Sequence, residues 1–265
     1  MKRFFLIISV FLVIAALVLT GGYCANRYYN DIYLPDKNIR EADAAQKELI
    51  ASIRPDIESA LQSTDTSSSA EPFRVAVGED ILSACSSVNG DTVAWLTIPG
   101  TNIDFPVMQC EDNDFYLHNG ADGQFNSGLG CPFLDYRCES DLRGFNSIIY
   151  GHHMVDDMMF SDIAKFADKS YFAEHDRGVL VLPGEAAGVK FFAYLSVSSR
   201  SPVYHTVFMT PSDRDNYIEL LFAEASYIQS FTKDDLKAMP DPHFLLLSTC
   251  TFETEESRGV LVGVF

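Results

Sequence analysis

The chain begins with one apolar block and ends with two shorter ones, and the pattern between them changes character twice. From Phe4 to Leu19 every position is apolar except Ser9, and no charge falls between Arg3 and Arg27. With Thr20 to Tyr23 added, the block is long enough to cross a hydrocarbon core of about 30 Å. From Arg27 to roughly Glu58 the chain is polar and alanine-rich, and the spacing in "IREADAAQKELIASI" predicts one helix or a pair. "QSTDTSSSAEP", Gln62 to Pro72, is a low-complexity linker. Short β segments follow: "DTVAWLTIPGTNIDFPVMQ" (Asp91 to Gln109), "NSIIYGHH", "GVLVLPG" and "KFFAYLSV", punctuated by Pro-Gly and similar turns. One amphipathic helix is predicted over Asp213–Ile228, with Ile218, Leu221, Phe222 and Ala225 on a core-facing side. Many short strands with few helices imply a mainly β fold, a barrel or sandwich with helical additions.

The first block reads as a retained signal anchor. Lys2 and Arg3 precede it, which sets the N-terminus inside and the bulk of the chain outside, although Arg27 reduces the asymmetry. A cleaved signal peptide is the competing reading, but Tyr23-Cys24-Ala25 has tyrosine where a small residue is needed, and the same tyrosine spoils a lipoprotein-type site at Cys24. The expected organisation is an anchor over 1–26, a juxtamembrane helical segment and linker over 27–75, and one domain over 76–265.

Composition narrows the partners. The 265 residues are 47% hydrophobic, 21% charged and 12% aromatic, with a net charge of −18 and a pI near 4.5. Such a chain offers nothing to neutralise a run of phosphates, which excludes nucleic acid, and it suits an extracellular or wall-side milieu. Six cysteines are compatible with an oxidising compartment without forming a dense framework; Cys131 and Cys138 are spaced to bridge a short loop, a pairing the sequence leaves open.

Candidate chemistry lies near the end, in "HFLLLSTCTFETEESRGVLVGVF". Phe244–Leu247 and Gly259–Phe265 read as two strands joined by a polar loop, and antiparallel pairing would bring Cys250 close to Arg258. A guanidinium biases a neighbouring thiol toward the nucleophilic thiolate. The plainer reading is a buried structural cysteine near a surface arginine. A nucleophilic cysteine also needs a proton carrier, usually histidine. His118, His175, His205 and His243 stand alone in polar or turn-like settings, as surface or satisfied histidines do. In "IIYGHHM", by contrast, an apolar strand ends in Gly151 and presents His152 and His153 at a rim. A papain-type arrangement has its cysteine before its histidine, the reverse of the order here. A zinc site from Cys131, Cys138, His152 and His153 is awkward, because adjacent histidines do not suit one tetrahedral ion and no Cys-x-x-Cys is present.

The motifs together carry a family likeness. "LSTC" with an arginine eight positions on resembles the Leu-x-Thr-Cys signature of sortases, the membrane-anchored cysteine transpeptidases of Gram-positive bacteria. "YGHHM" followed by "MFSDIAKFADKSYFAEH" resembles the histidine segment of class B sortases, and "VNGDTVAWLTIPGTNIDFPVMQ", "DNDFYLHN" and "FLDYR" fit the same pattern, from about Ile81 to Phe265.

The resemblance implies a sortase-type β-barrel with added helices in which Cys250 is the nucleophile, His152 the acid/base and Arg258 the group that holds the substrate carbonyl and oxyanion. Ser248 and Thr251, close to Cys250, become substrate-binding candidates, and the connection Tyr204–Pro211 ahead of the Asp213–Ile228 helix is expected to face substrate. No metal and no organic cofactor is implied. The implied substrates are secreted proteins bearing a C-terminal sorting motif, cleaved after threonine, with an amine of a peptidoglycan cross-bridge or of a pilin as acceptor. The sequence departs from the pattern at Leu246, where many sortases have threonine, and at Thr251 and Phe252, where several class B members have an acidic residue just after the cysteine. The reading from another class is a membrane-tethered, non-enzymatic binding module on the same scaffold.

Overall fold

The structure is a computed structural model that describes residues 19–27, 29, 34–62, 72–154, 157–250 and 257–265. Along the chain run α1 (Leu34–Ile53), α2 (Ile57–Gln62), β1 (Phe73–Ala76), α3 (Ser83–Val88), β2 (Thr92–Thr97), β3 (Asp104–Met108), α4 (Phe115–His118), β4 (Phe133–Leu134) and β5 (Asn146–Tyr150). A 3₁₀ segment (Ser161–Ala167), α5 (Lys169–Glu174), β6 (Arg177–Leu182), β7 (Glu185–Ser198) and a 3₁₀ turn (Pro202–Tyr204) follow. The last elements are α6 (Pro211–Glu224), β8 (Ala225–Ile228), α7 (Lys233–Ala238), β9 (Phe244–Cys250) and β10 (Ser257–Val264).

The strands close on themselves. The order β7-β10-β9-β5-β4-β3-β2-β6 returns to β7 through a β6–β7 hairpin, giving an eight-stranded barrel. Closure leaves no long free edge in the ring. The 14 residues of β7 make it possible: its first half pairs with β6 and β1, its second half with β10 and β8. Pro183 and Gly184 form the two-residue hairpin loop, with Leu182 opposite Glu185; proline supplies the fixed φ and Gly184, at φ +74°, the left-handed position.

The unbroken apolar run of β9 has a simple cause: both its faces are covered. Leu245 and Leu247 join the barrel interior with Trp95, Phe191 and Leu261. Phe244 and Leu246 face a second apolar layer with Val260 and Val262, beneath Tyr217, Ile218 and Leu221 of α6 and Leu236 of α7. A strand buried on both sides loses the polar alternation of a half-exposed one. Leu246, the departure from the family pattern, is therefore a packing residue under these helices.

One helical expectation is corrected, and the helix or pair expected after Arg27 is resolved as the pair. The Asp213–Ile228 helix is Pro211–Glu224, begun by a Thr210–Asp213 capping box, and it ends where Ala225–Ile228 turns extended and pairs with β7. Tertiary pairing overrides local periodicity there, so Ala225 belongs to a strand. The segment after Arg27 is two helices split at Pro55, which disfavours the helical conformation of the residue before it. These helices pack on the barrel through Ile50, Ile53 and Ile57. At the split, Arg54 Nε donates to Asp104 Oδ2 at 2.6 Å, and Asp104 Oδ1 accepts from Trp95 Nε1 at 2.6 Å.

Residues 19–27 are helical, while the expected membrane block before Leu19 and most of the linker (63–71) lie outside the described residues. Among the described residues no helix is long and apolar enough to cross a membrane. Cys131 and Cys138 are both free thiols.

The two-faced burial of β9 sets a test: Leu246→Ala and Leu247→Ala should each cost about 2–5 kcal/mol in denaturant unfolding. A loss below about 1 kcal/mol at either position would show that its face is not packed.

Candidate functional site

Three neighbouring strands deliver the predicted residues to one end of the barrel. β5 and β9 run parallel, with Tyr150 beside Ser248, and the pairing persists one residue further because Gly151 N–H donates to the Ser248 carbonyl at 3.1 Å. His152 follows at once. β9 and β10 run antiparallel, with position 250 opposite Arg258 and Ser248 opposite Val260. His152, Ser248 and Arg258 all line a cleft of about 720 Å³. Thr251 lies outside the described residues.

His152 is held firmly. Its Nε2–H donates to the Leu117 carbonyl at 2.8 Å, which leaves Nδ1 as the nitrogen free to exchange a proton. Gly130 closes off the far side of the ring. At φ +69° it has a backbone suited to glycine, and a Cβ there would lie 2.7 Å from the Tyr116 carbonyl, 2.9 Å from the Leu117 carbonyl and 3.1 Å from His152 Cδ2. Phe160 N–H donates to the His152 carbonyl at 2.9 Å. His153 points its backbone elsewhere, in a bridge to Met159, and burial pushes its imidazole below the usual range against a smaller pull from Asp157.

A polar belt forms one wall. Asp135 is fully buried and accepts from Arg137 Nε at 2.9 Å, Arg137 Nη2 at 2.6 Å, the Arg137 amide at 2.9 Å and the Tyr150 hydroxyl at 3.0 Å. Burial alone would raise this carboxyl, but the arginine and its companions hold it below the ordinary range. Tyr150 is pushed far up by burial and by Asp135, so its hydroxyl stays neutral. Tyr150 packs against Tyr204, whose hydroxyl is 2.9 Å from Ser248 Oγ. Ser248, expected to touch substrate, is thus 1% exposed and bonded to Tyr204.

The remaining candidates separate cleanly. His205 is exposed, as expected of a surface histidine, and it also lines the cleft and packs edge-on against Phe208. Of the expected substrate-facing connection, Tyr204 and His205 reach the cleft, while Phe208 packs under α6 and Met209 is 83% exposed. His175 stacks on Tyr171, and His243 Nδ1–H donates to the Gly144 carbonyl at 3.0 Å. Burial pushes the Cys85 and Cys138 thiols up to about 11 and raises Cys131 further; Cys110 is raised as well. In each of the four, burial disfavours the thiolate. Sequence reasoning assigns no role to Leu117, Gly130 or the Asp135 belt; the local signals are "DNDFYLHN", which holds Leu117, and "FLDYR", in which Asp135-x-Arg137 has the spacing of an Asx turn.

No family model matches the chain. It is similar to sortase B of Listeria monocytogenes, 31% identical over 183 residues that make up 69% of this chain and 72% of the relative. The structure of Clostridium perfringens sortase B superposes with a TM-score of 0.62 at 25% identity, covering 69% of this chain and 97% of that one. A sortase B–substrate complex from Staphylococcus aureus shares the fold with a TM-score of 0.68 at 20% identity, over 88% of this chain and 98% of that one.

The Asp135 belt makes a pH-dependent contribution. Its folded carboxyl titrates below the unfolded value of about 3.9, so its stabilisation is complete above that value and is lost as pH falls through the folded one. Asp135→Asn should therefore lower the melting temperature at neutral pH, with the gap to the parent narrowing below about pH 4. A gap independent of pH would mean that the charge on Asp135 does not matter.

Proposed function

This chain belongs to the sortase B family, and we propose that Cys250 is its nucleophile, His152 its proton carrier and Arg258 the cation that holds the carbonyl under attack. The chain is a sortase, a cysteine transpeptidase. The observation that carries the assignment of residues is the shared register of β5, β9 and β10, in which position 250 is opposite Arg258 and His152 follows the last β5–β9 hydrogen bond. The raised thiols of Cys85, Cys110, Cys131 and Cys138 support it, since burial makes each a poorer competing nucleophile.

The chemistry is acyl transfer in two balanced halves. Cys250 thiolate attacks the carbonyl carbon of a threonine in the sorting motif, forming a C–S bond. The peptide C–N bond breaks as the departing amine takes a proton from His152, and a thioester remains. An incoming amine attacks that carbonyl, returns its proton to the imidazole and expels the thiolate. With Nε2–H fixed on Leu117, Nδ1 is the nitrogen that moves the proton, and the Leu117 carbonyl steadies the imidazolium. Arg258 suits the developing oxyanion because it keeps its charge and offers a planar fork of donors.

The substrates in this reading are secreted proteins with a C-terminal sorting motif, and the acceptor is an amine of a peptidoglycan cross-bridge or a pilin. Residues 76–265 form the catalytic domain, 27–75 a juxtamembrane segment, and 1–26 a single-pass anchor with the N-terminus cytoplasmic and the enzyme outside. The uncharged stretch from Phe4 to Asn26 supports the anchor.

Two experiments test this reading. A thiol-reactive peptide mimic of a threonine-centred motif should label the parent at Cys250, and Cys250→Ala should neither label nor turn over while remaining folded. Arg258→Ala should lose about 10²–10³ in rate. His152→Ala should be inactive and His153→Ala should retain substantial activity; the opposite ranking would assign the proton carrier to His153. For the anchor, full-length protein should stay with membranes through an alkaline carbonate wash, and a mature N-terminus just after Ala25 would rule the span out.

A further inference from the structure

His152 is used from one side by the reaction, and from the other it rests on a glycine gripped by a helix outside the barrel. Gln46 lies on α1 and is 7% exposed. Its Nε2 donates to the Gly130 carbonyl at 3.1 Å and lies 3.7 Å from Met159 Sδ, and its Oε1 accepts from Asn126 Nδ2 at 2.5 Å. Asn126 completes the clamp: Nδ2 also donates to the Gly130 carbonyl at 3.0 Å, and Oδ1 accepts from Gly130 N–H at 2.9 Å. Both lone pairs of that carbonyl and its peptide N–H are therefore engaged. The same face of α1 and α2 otherwise buries Ile50, Ile53 and Ile57, and a buried amide among them is costly unless its hydrogen bonds are made.

The clamp acts on a residue whose backbone lies close to the imidazole, with no space for a side chain between them. The site for a Cβ on Gly130 is 2.9 Å from the Leu117 carbonyl and 3.1 Å from His152 Cδ2. A shift of Gly130 by a few tenths of an ångström would be felt by the imidazole and by the acceptor that fixes its tautomer. Met159, the other contact of the Gln46 amide, bridges to His153, and its neighbour Phe160 donates to the His152 carbonyl. Gln46 thus reaches the histidine segment along two short routes.

We propose that Gln46 is a positioning residue for His152: α1 sets the ring of the proton carrier through the Gly130 peptide. The inference rests on the reading of His152 given above. Gln46→Met keeps the side chain's length and removes its hydrogen bonds, while Ile50→Ala weakens the packing of α1 without touching Gly130. Turnover is measured with a donor peptide selected on the parent from a threonine-centred library, with triglycine as acceptor, and the His152 ring is followed by its ¹⁵N resonances. Gln46→Met should lower kcat about tenfold, with KM within about twofold, and should move the His152 Nε2 resonance. Ile50→Ala should lower the melting temperature and leave both unchanged. An unmoved resonance in Gln46→Met, or an equal loss of kcat in Ile50→Ala, overturns the proposal. A moved resonance with parental kcat overturns it too, and His152→Ala run beside it identifies the reason. Activity in that variant means the proton-carrier reading has failed; inactivity means the reaction does not sense Gln46.

Discussion

β9 is hydrogen-bonded on both edges and packed on both faces, and this double confinement fixes everything at its end. Along one edge it runs with β5 and along the other against β10, so its register to each is set at once. A slip of one residue would exchange Leu245 and Leu247, which fill the barrel, with Phe244 and Leu246, which fill the layer under α6 and α7. The same slip would carry position 250 away from Arg258. The alignment of position 250 with Arg258 is inherited from hydrophobic packing several residues away, which is a more rigid support than a loop provides.

Around that end, polar groups are spent on shape. Asp135 sits in the wall with its charge answered by Arg137 and the Tyr150 hydroxyl, and the belt continues through Tyr204 to Ser248. A buried carboxylate without such partners would be costly. Here it anchors the ends of β4 and β5 and the 3₁₀ turn at Pro202–Tyr204 in one hydrogen-bonded surface, and none of its members is required to change protonation at neutral pH.

Much of this was legible along the chain, and the exceptions share a cause. The β9–β10 pair and the strand-end histidine are written locally, as apolar runs bounded by polar turns. Barrel closure is not, because it depends on β2 meeting β6, a contact between distant segments that look alike in sequence, whereas the β6–β7 hairpin is written locally in Pro183-Gly184. The helix before β9 overran by Ala225–Ile228 because those residues suit either state and β7 decides between them. Gln46 reads as an ordinary polar position on a helix; its burial exists only once α1 lies on the barrel. His205 likewise looks solitary until the turn at Pro202–Tyr204 carries it to the cleft.

The parallel pairing of β5 with β9 joins Ile148 to Leu246, 98 residues further along. Contacts of such long range form slowly, since a large loop must close before they contribute anything. The cleft also draws on Leu117 and Arg258, so it has no partial version in a half-folded chain. The chemistry proposed for Cys250 needs the strands that carry His152 and Arg258 beside it, so an extended chain offers only an ordinary, unassisted thiol. On that reading the assisted chemistry is a property of the closed barrel and appears only with it.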